Sequence, residues 1–384
     1  MQENRKKGFF LRVAALVLAG VPAAAQAWTI EDLGDLAGGP SFSEAYGLNE
    51  AGDVVGYGTT AVTNEAFVWK RAAGMAPLAR PAGFASCAAN GINDGGLVVG
   101  KCDSAVQGKR SAMVWQAGQP REVAFNNTAA VPMSEALAVN NLGEVSGSYR
   151  EQLGTTLLDQ AFTWDTRISG GTARGVTPLP ADLGGSGRGN AINAQGYIAG
   201  NAIRNTGPDM HQPWLWSPAI ANSARAIAAV GVLPGATAKS GDARGINDLP
   251  NVVGLYDGRG FLWTPHVPGA TTGTTLQLPI EPYDINNRGQ VVGVSGGRAK
   301  LFDVAANAVT DLSALPEVVA AGWRALSLAR AINDKGQIVG TGVNAAGEVH
   351  AYLLSPDAAQ PRPLRPDPLR PDLLRDRIRV PVPR

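Results

Sequence analysis

The chain has 384 residues, with 33 Lys and Arg against 32 Asp and Glu; a net charge of +1 gives no global field to draw in nucleic acid or an acidic surface. Gly at 48, Pro at 26 and an apolar fraction of 45% exclude a disordered composition and suit many short strands, tight turns and a real core.

Arg5, Lys6 and Lys7 lead into an apolar stretch at 9–21, then Pro22 and the small-residue site Ala25-Gln26-Ala27, the order of a secretory signal peptide cut before Trp28. The apolar stretch is shorter than the roughly 20 residues an anchor needs, and no later segment could span a bilayer. A secreted protein, periplasmic or extracellular, is expected: signal at 1–27, folded body at 28–355, and tail at 356–384.

The body repeats a unit ending in I-N-x-x-G-x-V-V-G, at 48–56, 92–100, 139–147, 192–200, 246–254, 285–293 and 332–340. Its asparagines are Asn49, Asn93, Asn140, Asn193, Asn247, Asn286 and Asn333, spaced by 44, 47, 53, 54, 39 and 47 residues. An A-F-x-W run follows each block, at 66–69, 112–115, 161–164, 213–216 and 260–263, decaying at 299–302 and 351–354. A Leu-centred run precedes each, at 30–33, 75–78, 121–125, 176–179, 230–233, 276–278 and 309–312.

Each unit thus offers four short strands, with N-x-x-G as hairpin chemistry between the first two. The expected fold is all-β: a seven-bladed β-propeller of four-stranded blades. The body opens on a Leu run and closes on A-Y-L-L, so the N-terminal strand at 29–33 is expected to complete the last blade and close the ring, leaving no open sheet edge. An open β-solenoid is the alternative, but its shorter, more uniform repeats would not leave complementary ends. Aromatics ending the third strands are expected in the core. In the second unit, a turn centred between Asp94 and Gly95 sets Cys87 opposite Cys102, at the separation a disulfide needs.

With these motifs the chain resembles the HAF-repeat family of bacterial extracellular repeat proteins over residues 28–355. The resemblance implies secretion and a repeat fold, and carries no established activity or transferable catalytic motif. Departures are Pro250 in place of the turn Gly, and the missing Trp in the last two units.

Little in the sequence points to chemistry. His211, His266 and His350 fall in different units without metal-ligand or triad spacing. Gly293-Val294-Ser295-Gly296-Gly297 matches G-x-S-x-G, but no helix follows to make a nucleophile elbow. The N-D turns offer too few oxygens for calcium; neither metal nor cofactor is expected.

Variation between units is more informative. The long segments 148–160 and 201–212 are expected to be loops on one face. The position three before each asparagine holds Tyr46, Asn90, Leu137, Asn190, Arg244, Tyr283 and Arg330. Packing between blades is one role for these residues. At the mouth of a channel, Tyr46, Arg244, Tyr283 and Arg330 would suit a carboxylated or sugar-like ligand. The expected function is a monomeric secreted recognition or scaffold protein for an unknown extracellular ligand, a glycan or small acid. The alternative is a propeller lyase or hydrolase working through Glu44, Glu135 or Asp242. The tail, with seven Arg against four Asp and frequent Pro, is expected to be extended.

Overall fold

The computed structural model describes residues 26–357, apart from 106–107, 124, 126–132, 154–155, 168–185, 204–210, 219–227, 230–232, 234–239, 268–269 and 271. The signal segment up to residue 25, the tail beyond Asp357 and the Leu run at 176–179 lie outside the described residues.

The strands follow the repeat. After β1 (Trp28–Asp32) come β2 (Ser43–Leu48), β3 (Val54–Thr59), β4 (Asn64–Lys70) and β5 (Gly74–Pro77). The second unit gives β6 (Phe84–Ile92), β7 (Val98–Ser104), β8 (Arg110–Gln116) and β9 (Gln119–Glu122); the third gives β10 (Met133–Val139), β11 (Glu144–Leu153) and β12 (Thr156–Asp165). Next are β13 (Ser186–Ile192), β14 (Ile198–Ile203), β15 (His211–Trp216) and β16 (Ala228–Ala229), then β17 (Gly241–Ile246), β18 (Val252–Tyr256), β19 (Arg259–Pro265) and β20 (Gly273–Leu278). The sixth unit gives β21 (Glu281–Ile285), β22 (Gln290–Ser295), β23 (Arg298–Asp303) and β24 (Ala308–Asp311). A short helix, α1 (Pro316–Ala320), precedes β25 (Ala325–Ile332), β26 (Ile338–Val343) and β27 (Val349–Pro356).

Five sheets have four strands each, and a sixth has seven. The larger sheet arises because the second and third units share one parallel register pair, Met133 opposite Arg110. β1 lies antiparallel to β27, from Trp28 opposite Pro356 to Asp32 opposite Tyr352, so the first strand is the outer strand of the last sheet. Apolar clusters fill the spaces between successive sheets. One joins Leu33, Ala45, Val54, Phe67 and Trp69 to Ala331, Val339, Ala351 and Leu353 across the seam between last and first sheets. Of the third-strand aromatics, Trp69, Trp115, Trp164, Trp263 and Phe302 are buried, while Trp216 keeps partial exposure.

Two backbone devices explain the repeat. Every first strand carries a register shift against its second strand three residues before its asparagine, with a second shift further out in β6 and β25, and the residue at the shared shift is Tyr46, Asn90, Leu137, Asn190, Arg244, Tyr283 or Arg330. A β-bulge bends the strand and re-aims its extra side chain. The bulge presses the carbonyl two residues before it against the glycine of V-V-G: a Cβ built on Gly56, Gly100, Gly147, Gly200, Gly254, Gly293 or Gly340 would collide with the backbone oxygen of Glu44, Ala88, Glu135, Arg188, Asp242, Glu281 or Leu328.

The second device is a ring of asparagines. Each Asn Oδ1 accepts the backbone N–H four residues on, closing its own turn. Each Nδ2 donates to the backbone carbonyl of the next unit's asparagine, at 3.0–3.3 Å, from Asn49 round to Asn333, which returns to Asn49 O. Aspartate in the ionised form would lack the donor, and serine or threonine the reach.

The expected disulfide is present, while two expectations need revision. Cys87 and Cys102 are bonded and directly opposed. Near the turn, however, Ile92 faces Val98, one residue off the assumed hairpin, and the bulge at Asn90 restores the expected pairing. The segment 148–160 is mostly not loop: β11 and β12 continue their hairpin through it, with Ser148 opposite Ala161 and Arg150 Nε 2.8 Å from Asp159 Oδ1. Pro250 sits at φ 23°, where the other units' turn glycines have φ of 73–83°.

A candidate ligand-binding face

Because every bulge falls at the same point of its strand, four of the irregular residues meet in a ladder around one side of the ring. The Arg244 guanidinium carbon lies 4.8 Å from the Tyr283 ring centroid. Arg330 lies 4.9 Å from the other side of the ladder at Tyr283 and 5.0 Å from Tyr46. Such contacts contribute about 0.5–2 kcal/mol each, depending on desolvation. The ladder continues from Tyr46 to Tyr57, whose rings are 5.6 Å apart.

Tyr46 Oη donates to Glu44 Oε2 at 3.2 Å, and Arg244 Nε donates to Asp242 Oδ2 at 2.7 Å. Burial, followed by the charge of Glu44, pushes both the Tyr46 and Tyr57 phenols above the usual range, so they remain neutral donors. The Arg330 guanidinium makes no hydrogen bond or ion pair with the described residues and lies over the Tyr46 and Tyr283 rings. Arg244 Nη1 is buried without an acceptor among the described residues.

Two of the other bulge residues serve packing. Asn90 Nδ2 donates to Ala136 O at 2.8 Å, and Asn190 Nδ2 to Ala243 O at 2.7 Å, each tying its strand to the first strand of the next unit. The candidate carboxylates do not form a pair. Glu44 is engaged by Tyr46, Asp242 by Arg244, and Glu135 by Lys101 at 3.1 Å, Arg188 at 3.2 Å and Arg110 at 3.8 Å. Glu135 is thus a hub of ion pairs among cations, which disfavours its use as a free acid or base.

Toward the turns, the asparagine ring lines a central cavity of about 240 Å³. Beyond it a second ring forms one residue further along: Asp94 accepts the Glu50 N–H, Asn141 the Asp94 N–H, Asp248 the Ala194 N–H, Asn287 the Asp248 N–H, Asp334 the Asn287 N–H and Glu50 the Asp334 N–H. Ala194 offers no acceptor to the Asn141 N–H, so this ring has one gap. Asp284 also lines the cavity, where the other units carry Gly or Ala. Its oxygens accept the Ile285 and Ile332 N–H groups, yet burial outweighs these bonds and its pKa is pushed up to about 7. Among the described residues no group of His, Cys, Asp and Glu is arranged to hold a metal ion, and no helix is long and apolar enough to cross a membrane.

The sheet pairings and the closed hydrogen-bond ring define a β-propeller, a ring of small antiparallel sheets. No protein-family model and no curated protein matches the chain. Among solved structures it is similar to the putative TolB from Agrobacterium tumefaciens, 14% identical with a TM-score of 0.39, over 83% of this chain and 91% of that one. It is also similar to apo AztD from Citrobacter koseri, 14% identical with a TM-score of 0.40, over 85% of this chain and 94% of that one.

Proposed function

We propose that this is an exported, seven-bladed recognition propeller that binds a carboxylated or sugar-like ligand on the bulge-bearing face. The seven-blade reading takes the seven-stranded sheet as two blades linked at one parallel pair, in keeping with seven asparagines in the ring. Export, the body at 28–355 and kinship with HAF-repeat proteins belong to the same reading, supported by the signal-like N-terminus, the disulfide and the repeat motif. A monomer acting outside the cytoplasm is its simplest form.

The observation that carries the ligand is Arg330, a guanidinium held between two tyrosine rings with its hydrogen-bond donors unused by the described residues. A carboxylate can take two parallel N–H bonds from such a group, and the adjacent rings can stack on a sugar face. The test is an array of acidic and neutral glycans and small carboxylic acids. Binding to acidic members that falls at least tenfold in the Arg244→Ala, Arg330→Ala double variant is expected. Full affinity in a folded double variant would refute the site.

A further inference from the structure

Asp32 ends β1, His350 is the second residue of β27, and Ser41 stands just before β2. All three lie at the seam where the last sheet meets the first. His350 is only 5% exposed. Its Nδ1 is 2.7 Å from Asp32 Oδ1, and its Nε2 is 2.7 Å from Ser41 Oγ.

The neighbours settle which nitrogen carries the proton. Asn344 Nδ2 has two hydrogens, and these are taken by Asp32 Oδ2 at 3.0 Å and Glu348 Oε2 at 3.2 Å. Its 3.1 Å approach to His350 Nδ1 is therefore a packing contact. A carboxylate only accepts, so Nδ1–H donates to Asp32 and the lone pair on Nε2 receives the Ser41 hydroxyl proton. The Gly34 N–H at 2.9 Å further fixes Asp32 Oδ1. Glu348 Oε2 lies 3.7 Å from Nε2.

A purely structural pair occupies the same place elsewhere. The Leu33 N–H bonds Ala351 O as the Val123 N–H bonds Ala112 O, which makes Asp32 and His350 the counterparts of Glu122 and Ser111. Ser111 Oγ donates to Glu122 at 2.6 Å. The seam departs from that pattern by replacing the hydroxyl with an imidazole and adding Ser41 on its far nitrogen. This gives the acid–base–nucleophile order of a hydrolase triad, recognised by geometry and not by chain order.

We propose that Ser41 is a nucleophile toward carboxylic esters, with His350 as general base and Asp32 as its positioning residue. Ser41 Oγ bonds to the ester carbonyl carbon while its proton passes to Nε2 and the carbonyl π pair moves onto oxygen. Collapse expels the alcohol oxygen, which takes the proton from Nε2. Water then repeats the sequence on the acyl-serine: its proton goes to Nε2, the carbon–Oγ bond breaks, and Oγ regains that proton. The balance is ester plus water to acid plus alcohol.

The test is covalent labelling of the full folded chain by a fluorophosphonate, read by intact mass and peptide mapping, beside p-nitrophenyl acetate turnover. The expected result is one adduct on Ser41. The labelling rate should fall about 100-fold or more in His350→Gln and at least about tenfold in Asp32→Asn, with turnover lost in Ser41→Ala. Since His350 is buried, Asp32→Asn decides the matter if His350→Gln does not fold. No adduct on Ser41 in the wild type, or an unchanged labelling rate in a folded Asp32→Asn variant, overturns the proposal.

Discussion

Removing one asparagine from the ring should loosen two units at once, and Asn286, with four side-chain hydrogen bonds, is the place to try. It is 3% exposed; its Oδ1 accepts the Arg288 and Gln290 N–H groups at 3.1 and 3.0 Å, and its Nδ2 donates to Asn333 O at 3.0 Å and Gln290 Oε1 at 2.9 Å. Asn333 O keeps a second donor, the Gly336 N–H at 3.0 Å, so the main loss in Asn286→Ala falls on the Gln290 N–H and on the link between units. An orphaned buried donor costs roughly 1–3 kcal/mol and a lost hydrogen bond roughly 0.5–1.5 kcal/mol, so a destabilisation of about 2–4 kcal/mol is expected. Asn286→Asp keeps the acceptor but sets a carboxylate oxygen against Asn333 O and Gln290 Oε1. That charge raises its folded-state pKa, so the damage should be absent well below pH 4 and grow as pH rises through the folded pKa. Urea unfolding followed by tryptophan fluorescence at pH 7 and pH 4 measures both. An unchanged midpoint for Asn286→Ala, or the same loss for Asn286→Asp at both pH values relative to wild type, would refute the rivet role.

Ala194→Asp should fill the gap in the second ring by giving the Asn141 N–H an acceptor, raising stability by about 0.5–1.5 kcal/mol; a lower melting temperature would contradict the ring geometry. Pro250→Gly should relieve a φ of 23° that a pyrrolidine ring resists and add a donor toward Asn247 O, for a gain of about 1–3 kcal/mol by urea titration. Asp284 has a folded pKa of about 7, raised by burial. Its unfolded value is near 3.9, so its neutral form stabilises the fold below about pH 4, and that contribution is lost as pH rises to about 7. At about 1.36 kcal/mol per pKa unit the loss is at most about 4 kcal/mol, and Asp284→Ala should flatten this part of the stability–pH profile. An unaltered profile would show that Asp284 does not titrate in that window.

The parts of the fold written in local residues were legible in the sequence. N-x-x-G turns, alternating V-V-G and A-F-x-W strands, and complementary ends led to the strand order and to β1 on β27. The irregular position before each asparagine was visible too, but its cause was not. A bulge is one residue of register, and no residue type at that position announces it, since Tyr, Arg, Asn and Leu all occupy it. Two of the seven, Asn90 and Asn190, went to packing while four formed the ladder, a division set by what the neighbouring strand presents. The asparagine ring was half legible: the turn-closing bond is local, whereas the Nδ2 bond reaches 39 to 54 residues ahead and, at Asn333, 284 residues back. Ser41 and His350, 309 residues apart, meet only because the ring closes.

Ring closure is the claim on which the rest depends, and hydrogen–deuterium exchange of the peptide covering Trp28–Asp32 tests it most directly. With β1 paired to β27 along its whole length, its ladder amides should be protected to nearly the level of β26 and lose that protection together with β27. Exchange of those amides within seconds under native conditions, as for an unpaired segment, would contradict the closed propeller.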